Sequence, residues 1–249
     1  LSLAFRQAAV VIGVIFVWAL GSVTGVFNPD VLPPVPDVAR EMVALWSTPA
    51  FKGALWATLR DGFLGAVAAA VVAIPLGLLI GIFPAFELST RKILDFGRAF
   101  PVVALLPLFV LIIGANSQMK VLAIAIACFF PILVQTVYGA RRLDPTILDT
   151  VRIFRIPFGL RFFRVILPSA LPYIATGLRI ATTVSILVAV GTEVILPIDG
   201  LGYQINLSRI ANRVPEAFAY VIYAGLLGVL LTLGWELLER RLLPWHLER

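Results

Sequence analysis

Histidine and cysteine each occur once in 249 residues. A lone His246 excludes a multi-histidine metal centre and the His-Glu-x-x-His zinc motif. It is expected to be an exposed tail residue. A lone Cys128 excludes a disulfide framework and a cysteine-rich metal site, and is expected to act as a small apolar filler. Charge is scarce too: 14% of residues are charged, where a soluble domain carries about a quarter. No Gly-x-x-x-x-Gly-Lys-Ser/Thr stretch is present to cradle ATP phosphates, and no Gly-x-Ser-x-Gly elbow. No catalysis, metal or resident cofactor is expected in this chain.

What the chain does contain is apolar surface. It is 60% hydrophobic with a mean hydropathy of +1.00. That leaves too little polar surface for a water-soluble fold and too much apolar content for a disordered chain. The composition is that of a membrane protein.

A hydrocarbon core of about 30 Å needs about 20 apolar residues per helix. Runs without charge cover 7–29, 62–86, 99–119, 121–140 and 217–235, and another covers 165–192, broken only by Arg179. They predict an all-α, polytopic membrane protein with six transmembrane helices in a single domain, 1–249. The first run is too long for a signal-peptide core and no small-residue cleavage site follows it, so it is read as a retained helix.

Lys and Arg placement sets the expected orientation. With the N-terminus inside, the inner segments carry thirteen cations: Arg6, the 91–98 group, the 141–164 group, Arg240, Arg241 and Arg249. The outer segments carry five: Arg40, Lys52, Lys120, Arg209 and Arg213. Both termini are therefore expected in the cytoplasm. The net charge of +6 lies beside membrane spans, so it marks the lipid boundary rather than a nucleic-acid partner.

The segment 141–167 is long, and rich in arginine and large apolar residues. Asp144-Pro145 reads as an N-cap and a first-turn proline, opening a short helix over 146–154. Pro157 then starts a second helix at Phe158, with Phe158, Phe162, Val165 and Ile166 on one face and Arg161 and Arg164 off it. Such a segment suits either an interfacial helix on anionic lipid or an element docked in a partner's groove.

The run from Asp149 to Pro168 resembles the EAA loop of ABC-importer permeases, which ends in a hydrophobic residue followed by Leu-Pro. Ile166-Leu167-Pro168 matches that ending. Counting back, the family glutamate falls on Asp149, the two alanines on Thr150 and Val151, and the glycine on Arg155. Further stretches resemble the nitrate/sulfonate/taurine group in the same order: Val31-Leu-Pro-Pro-Val-Pro-Asp-Val, Ile74-Pro-Leu-Gly-Leu-Leu-Ile-Gly81, Phe130-Pro-Ile-Leu, Leu143-Asp-Pro, Gly177-Leu-Arg-Ile-Ala and Gly200-Leu-Gly-Tyr.

The resemblance implies a type I ABC-importer permease fold in a bacterial inner membrane, and a subunit that forms the path for a small solute, expected to be a small anion such as a sulfonate, nitrate, bicarbonate or organic acid. It implies two ABC ATPase subunits below, a second permease copy or homologous permease, and an extracytoplasmic substrate-binding protein or lipoprotein. ATP and magnesium would sit on the ATPase. The 141–167 loop would couple to it through Asp149, Arg152, Arg155, Ile156, Pro157, Phe158, Arg161 and Phe162. Arginine makes less readily the tight turn that glycine supplies at position 155. The competing class is a self-sufficient secondary transporter or channel; no internal repeat or ion-coupling cluster supports it.

Arg179 is the one charge near the middle of a span. It reads either as a path-lining cation favouring anionic solutes, or as half of a structural pair with a neighbouring polar group such as Gln135. Glu193 and Asp199 stand at the outer end of the fifth span and are candidates for contact with the docked binding protein. Gly200 and Gly202 are expected to form a turn.

Overall fold

A computed structural model describes residues 3–24, 27, 28, 30–143 and 145–243. Asp144 and His246 lie outside the described residues, as does the side chain of Arg152. Among the described residues there are helices and turns and no strand. Helix α1 spans Leu3–Val23, α2 Val35–Trp46, α3 Pro49–Ile82, α4 Pro84–Ala99, α5 Leu106–Ile113, α6 Ser117–Arg141 and α7 Pro145–Ile153. Helix α8 is continuous over Phe158–Ile195, α9 spans Leu201–Ile210 and α10 Val214–Leu242. The end of the bundle holding Asn116 and Ile195 is called upper here, and the end holding Arg141 and Phe158 lower.

Helices α3, α6 and α8 form the core. Along α3 a small residue recurs every fourth position: Gly65, Ala69, Ala73, Gly77 and Gly81. This ridge presses into α6, where a Cβ on Gly65 would come within 2.5 Å of Ile124, on Gly77 within 2.7 Å of Thr136, and on Gly81 within 2.6 Å of Ala140. Each contact joins residues 59 apart, so the two helices run parallel in one unbroken register. Small residues bring backbones close and supply the dispersion contacts that hold helices together in lipid. Helix α8 returns antiparallel against α6, with Gly139 against Ala170 and Tyr173, and Gly177 against Ile132. Cys128 is buried at this seam, its Sγ donating to the Ala181 carbonyl at 3.3 Å.

Among the described residues five helices have the length and composition of membrane spans, and a broken pair, Ala85–Ala99 with Val102–Ile113, bent by 80°, has them as a sixth. This corrects the boundary expected at 99–119. The chain descends along α3 to Ile82 and must rise again before α6 begins at Ser117. It rises along α4, where Glu87 pairs with Arg141 and Gly97 lies against Phe130. Pro101 then forces Phe100 into an extended conformation (φ −76°, ψ 125°), which ends α4. A 3-10 turn over Val102–Leu105 leads into α5, which carries Pro107 harmlessly in its first turn. Charge-free counting missed α4 because Arg91, Lys92, Asp95 and Arg98 ride on it, beside the lower half of α6.

Helix α1 stands at the edge, with none of its apolar window buried. Its Trp18 anchors it, donating from Nε1 to the Pro33 carbonyl at 3.0 Å and meeting Phe218. Helix α2 buries Val38 and Leu45 against α10 through an aromatic group of Trp46, Phe51, Tyr220 and Tyr223.

Candidate functional site

At the lower end, α7 stops at Ile153 and the chain turns through Phe154-Arg155-Ile156 to Pro157, which opens α8 at Phe158. Arg155 has φ +48°, the left-handed conformation that glycine adopts without cost and other residues do not. The position aligned with the family glycine therefore needs glycine's backbone, and here an arginine holds it. The turn is closed by the Ile156 N–H donating to the Val151 carbonyl at 3.1 Å.

One face at the start of α8 is packed on the bundle. Val151 and Ile166 are buried, and Ile166 packs with Leu78, Ala140 and Ile174 while Phe162 lies half-buried against them. The other face is free: Ile153, Phe154, Phe158, Leu160 and Phe163 are all exposed, Ile153 and Phe154 by about three quarters. The apolar face expected from periodicity, with Phe158, Phe162, Val165 and Ile166 together, is thus divided. Phe158 points outward, and Phe162 sits between it and the core, its ring 6.3 Å from Phe158 and 5.0 Å from Phe163. A π-helical turn over Phe162–Ile166 shifts the facing of residues by one position, which a uniform 3.6 period does not register. Asp149, Arg155 and Pro157 are exposed and Ile156 and Arg161 half-buried.

At the upper end, three charges of opposite sign meet inside the bundle. Lys120 on α6, Asp61 on α3 and Glu193 on α8 are each at most 1% exposed. Lys120 Nζ donates to Glu193 Oε1 at 2.8 Å and to the Asp199 carbonyl at 2.9 Å. It also lies 2.8 Å from Asp61 Oδ2, out of line for a well-formed hydrogen bond. Arg60, half-exposed, pairs with the other Asp61 oxygen at 2.8 Å and donates to Ser117 Oγ at 3.1 Å. Thr58 Oγ1 donates to the Glu193 carboxylate at 2.9 Å and accepts from the Leu201 N–H at 2.9 Å. The Gly202 N–H donates to Glu193 Oε2 at 3.0 Å.

This corrects the placement of Glu193. The sequence put it on the outer surface for a docked protein, but Lys120 draws it inward and it is fully buried. Asp199 does remain exposed. Lys120, Asp61 and Thr58 were not among the expected site residues, although a signal existed. Asp61, Lys120 and Glu193 each bound an apolar run at the same end of the bundle, so they share one depth. Above them lies a cavity of about 520 Å³ lined by Trp56, Arg60, Asn116, Ser117, Asp199 and Gln204, among others.

Arg179 and Gln135 are not brought together. Gly177 faces α6, with its Cβ position 3.1 Å from the Gln135 Cβ, and Arg179 lies two residues, about 200°, further round α8. It reaches Glu239 on α10 at 3.6 Å, about one helical turn from a half-buried tie between Trp235 Nε1 and the Ala175 carbonyl at 3.0 Å. Among the described residues no group of His, Cys, Asp and Glu is arranged to hold a metal.

Residues 73–244 match the family described as binding-protein-dependent transport system inner membrane component. The chain is 31% identical to the putative aliphatic sulfonates transport permease protein SsuC of Bacillus subtilis, over 94% of this chain and 84% of that one. It is 29% identical to the taurine transport system permease protein TauC of Escherichia coli, over 97% and 91% respectively. Among solved structures, the MetNI methionine ABC transporter in inward-facing conformations has the same fold, with a TM-score of 0.66 at 16% identity, covering 75% of this chain and 93% of that one.

Proposed function

This chain belongs to the family of binding-protein-dependent transport system inner membrane components, as a multi-pass permease subunit of an ABC importer, and we propose that its lower end is cytoplasmic and docks an ATPase. The observation that supports this most is the divided face of 141–167. One side is held against α3 and α6 through Phe162 and Ile166, and the other presents Ile153, Phe154, Phe158, Leu160 and Phe163. A rigid segment with an exposed apolar face seats in a groove and passes the groove's movement to the bundle. Asp149, Arg155, Ile156, Pro157 and Arg161 flank that face as polar and turn-forming rim, on either side of Phe158.

ATP and magnesium are held by the partner, two ATPase copies beneath two permeases, and this chain contributes no catalytic group. A binding protein or lipoprotein docks at the upper end, where Asp199 is exposed. The solute is a small anion such as a sulfonate, nitrate, bicarbonate or organic acid, because relatives of this chain are named for transport of aliphatic sulfonates, taurine, bicarbonate and nitrate. Arg179 supports the same reading, as a cation at membrane depth on the half-exposed edge between α8 and α10. Family membership sets aside the self-sufficient transporter or channel.

Phe158→Asp tests the docking face. Burying a new carboxylate in an apolar groove costs about 2 kcal/mol or more, the scale of an interface hot spot. ATPase co-purification is expected to fall about thirtyfold, with the bundle's helicity intact. Undiminished co-purification and uptake would contradict the assignment.

A further inference from the structure

The upper ion cluster holds more than the three core helices. Its acceptors and donors include the Asp199 carbonyl and the N–H groups of Leu201 and Gly202, which are the approach to α9 and its first two residues. Every one of these bonds ends on Lys120, Thr58 or Glu193. Glycine at 200 and 202 is what permits the approach. A Cβ on Gly200 would lie 2.0 Å from the Glu193 carboxyl, and on Gly202 2.2 Å from the Val190 carbonyl. Helix α9 in turn supplies Gln204, and its approach supplies Asp199 and Gly200, to one wall of the cavity of about 520 Å³. Trp56 and Arg60 on α3 and Asn116 and Ser117 around the start of α6 supply other parts of that wall.

Fully desolvated ion pairs seldom out-stabilise apolar packing of the same volume, and their best-attested use is to fix one arrangement among several. In a bundle otherwise packed by alanine, glycine and isoleucine, an apolar trio at 61, 120 and 193 would hold three helices together. It would offer nothing to the backbone N–H groups of Leu201 and Gly202. The charges are explained by what they hold in addition to the core.

We propose that Lys120, Glu193 and Thr58 are positioning residues that clasp the start of α9 and so fix α9 as a rigid wall of the upper cavity. Thr58 is the pin, because one hydroxyl serves both Glu193 and Leu201. The clasp stands on geometry alone. That the cavity faces the binding protein rests on the orientation proposed above, and the experiment below reads the clasp whichever way the chain is oriented.

The test is a pair of spin-label distances in the full chain in lipid nanodiscs, in a Cys128→Ser background. Lys52→Cys with Ile210→Cys reports α9 against α3, and Phe83→Cys with Ile153→Cys serves as a lower-end control. All four positions are exposed. Thr58→Val removes the hydroxyl at nearly constant volume, and Thr58→Ser restores it. The upper distribution is expected to be narrow in the parent, to broaden about twofold or more in Thr58→Val, and to narrow again in Thr58→Ser, with the lower pair unchanged throughout. Should Thr58→Val fail to fold, Thr58→Ala removes the same hydroxyl without the second methyl, and the same broadening is expected. A narrow upper distribution in whichever of these variants folds would overturn the clasp, and so would equal broadening of both pairs.

Discussion

Lys120 carries the sharpest consequence of a single side chain. With its ammonium gone, buried Glu193 loses its ion pair, while Asp61 keeps the one with Arg60. Breaking a buried pair from one side costs about 3–5 kcal/mol, because the remaining charge is uncompensated. Lys120→Met is therefore expected to lower the thermal unfolding midpoint in nanodiscs sharply, and Lys120→Met with Glu193→Gln to recover part of the loss. Equal midpoints for Lys120→Met and the parent would show that the carboxylates are satisfied some other way. Arg155 offers a prediction of opposite sign. Its left-handed φ costs about 1 kcal/mol that glycine does not pay, so Arg155→Gly is expected to raise the thermal unfolding midpoint slightly and leave ATPase association unchanged. Weaker association would mean that the guanidinium itself contacts the ATPase. Arg179→Ala is expected to reduce uptake while leaving ATPase co-purification unchanged, and unaltered uptake would confine Arg179 to its tie with Glu239.

At the scale of elements, the small-residue ridge of α3 makes a prediction independent of charge. Gly77→Leu places side-chain atoms where a Cβ alone already comes within 2.7 Å of Thr136. It is expected to split α3 from α6 and abolish monodisperse expression, whereas Gly225→Leu, where the Cβ meets nothing, is expected to express normally. Equal expression of the two would contradict the parallel register. That ridge was readable in the sequence as Gly-x-x-x-Ala spacing, and the start of α8 was readable in Pro157. Two features were not. Helix α4 was hidden because its charges imitate a loop, and only the need to return from Ile82 to Ser117 makes it a crossing. The split between Phe158 and Phe162 was hidden because a π-turn changes the period inside one helix. The upper cluster lay between these cases. Its three residues stood in plain view at the ends of apolar runs, but their meeting depends on α3 and α6 running parallel, a fact no single run contains.

For the whole molecule, the two ends divide the work: an apolar face at the lower end and a cavity held by a polar clasp at the upper end. Between them run α3, α6 and α8, packed closely by glycine and alanine. A rigid core of this kind transmits displacement of the lower segment without dissipating it in side-chain rearrangement. The account stands or falls on the lower segment being an ATPase seat. The most direct measurement is to purify the tagged chain in mild detergent from cells expressing its own operon, and to count the co-purifying subunits. Two ATPases and two permeases per complex, with the ATPases lost in Phe158→Asp, is the predicted result. A chain that purifies alone and moves solute in liposomes without ATP would contradict it.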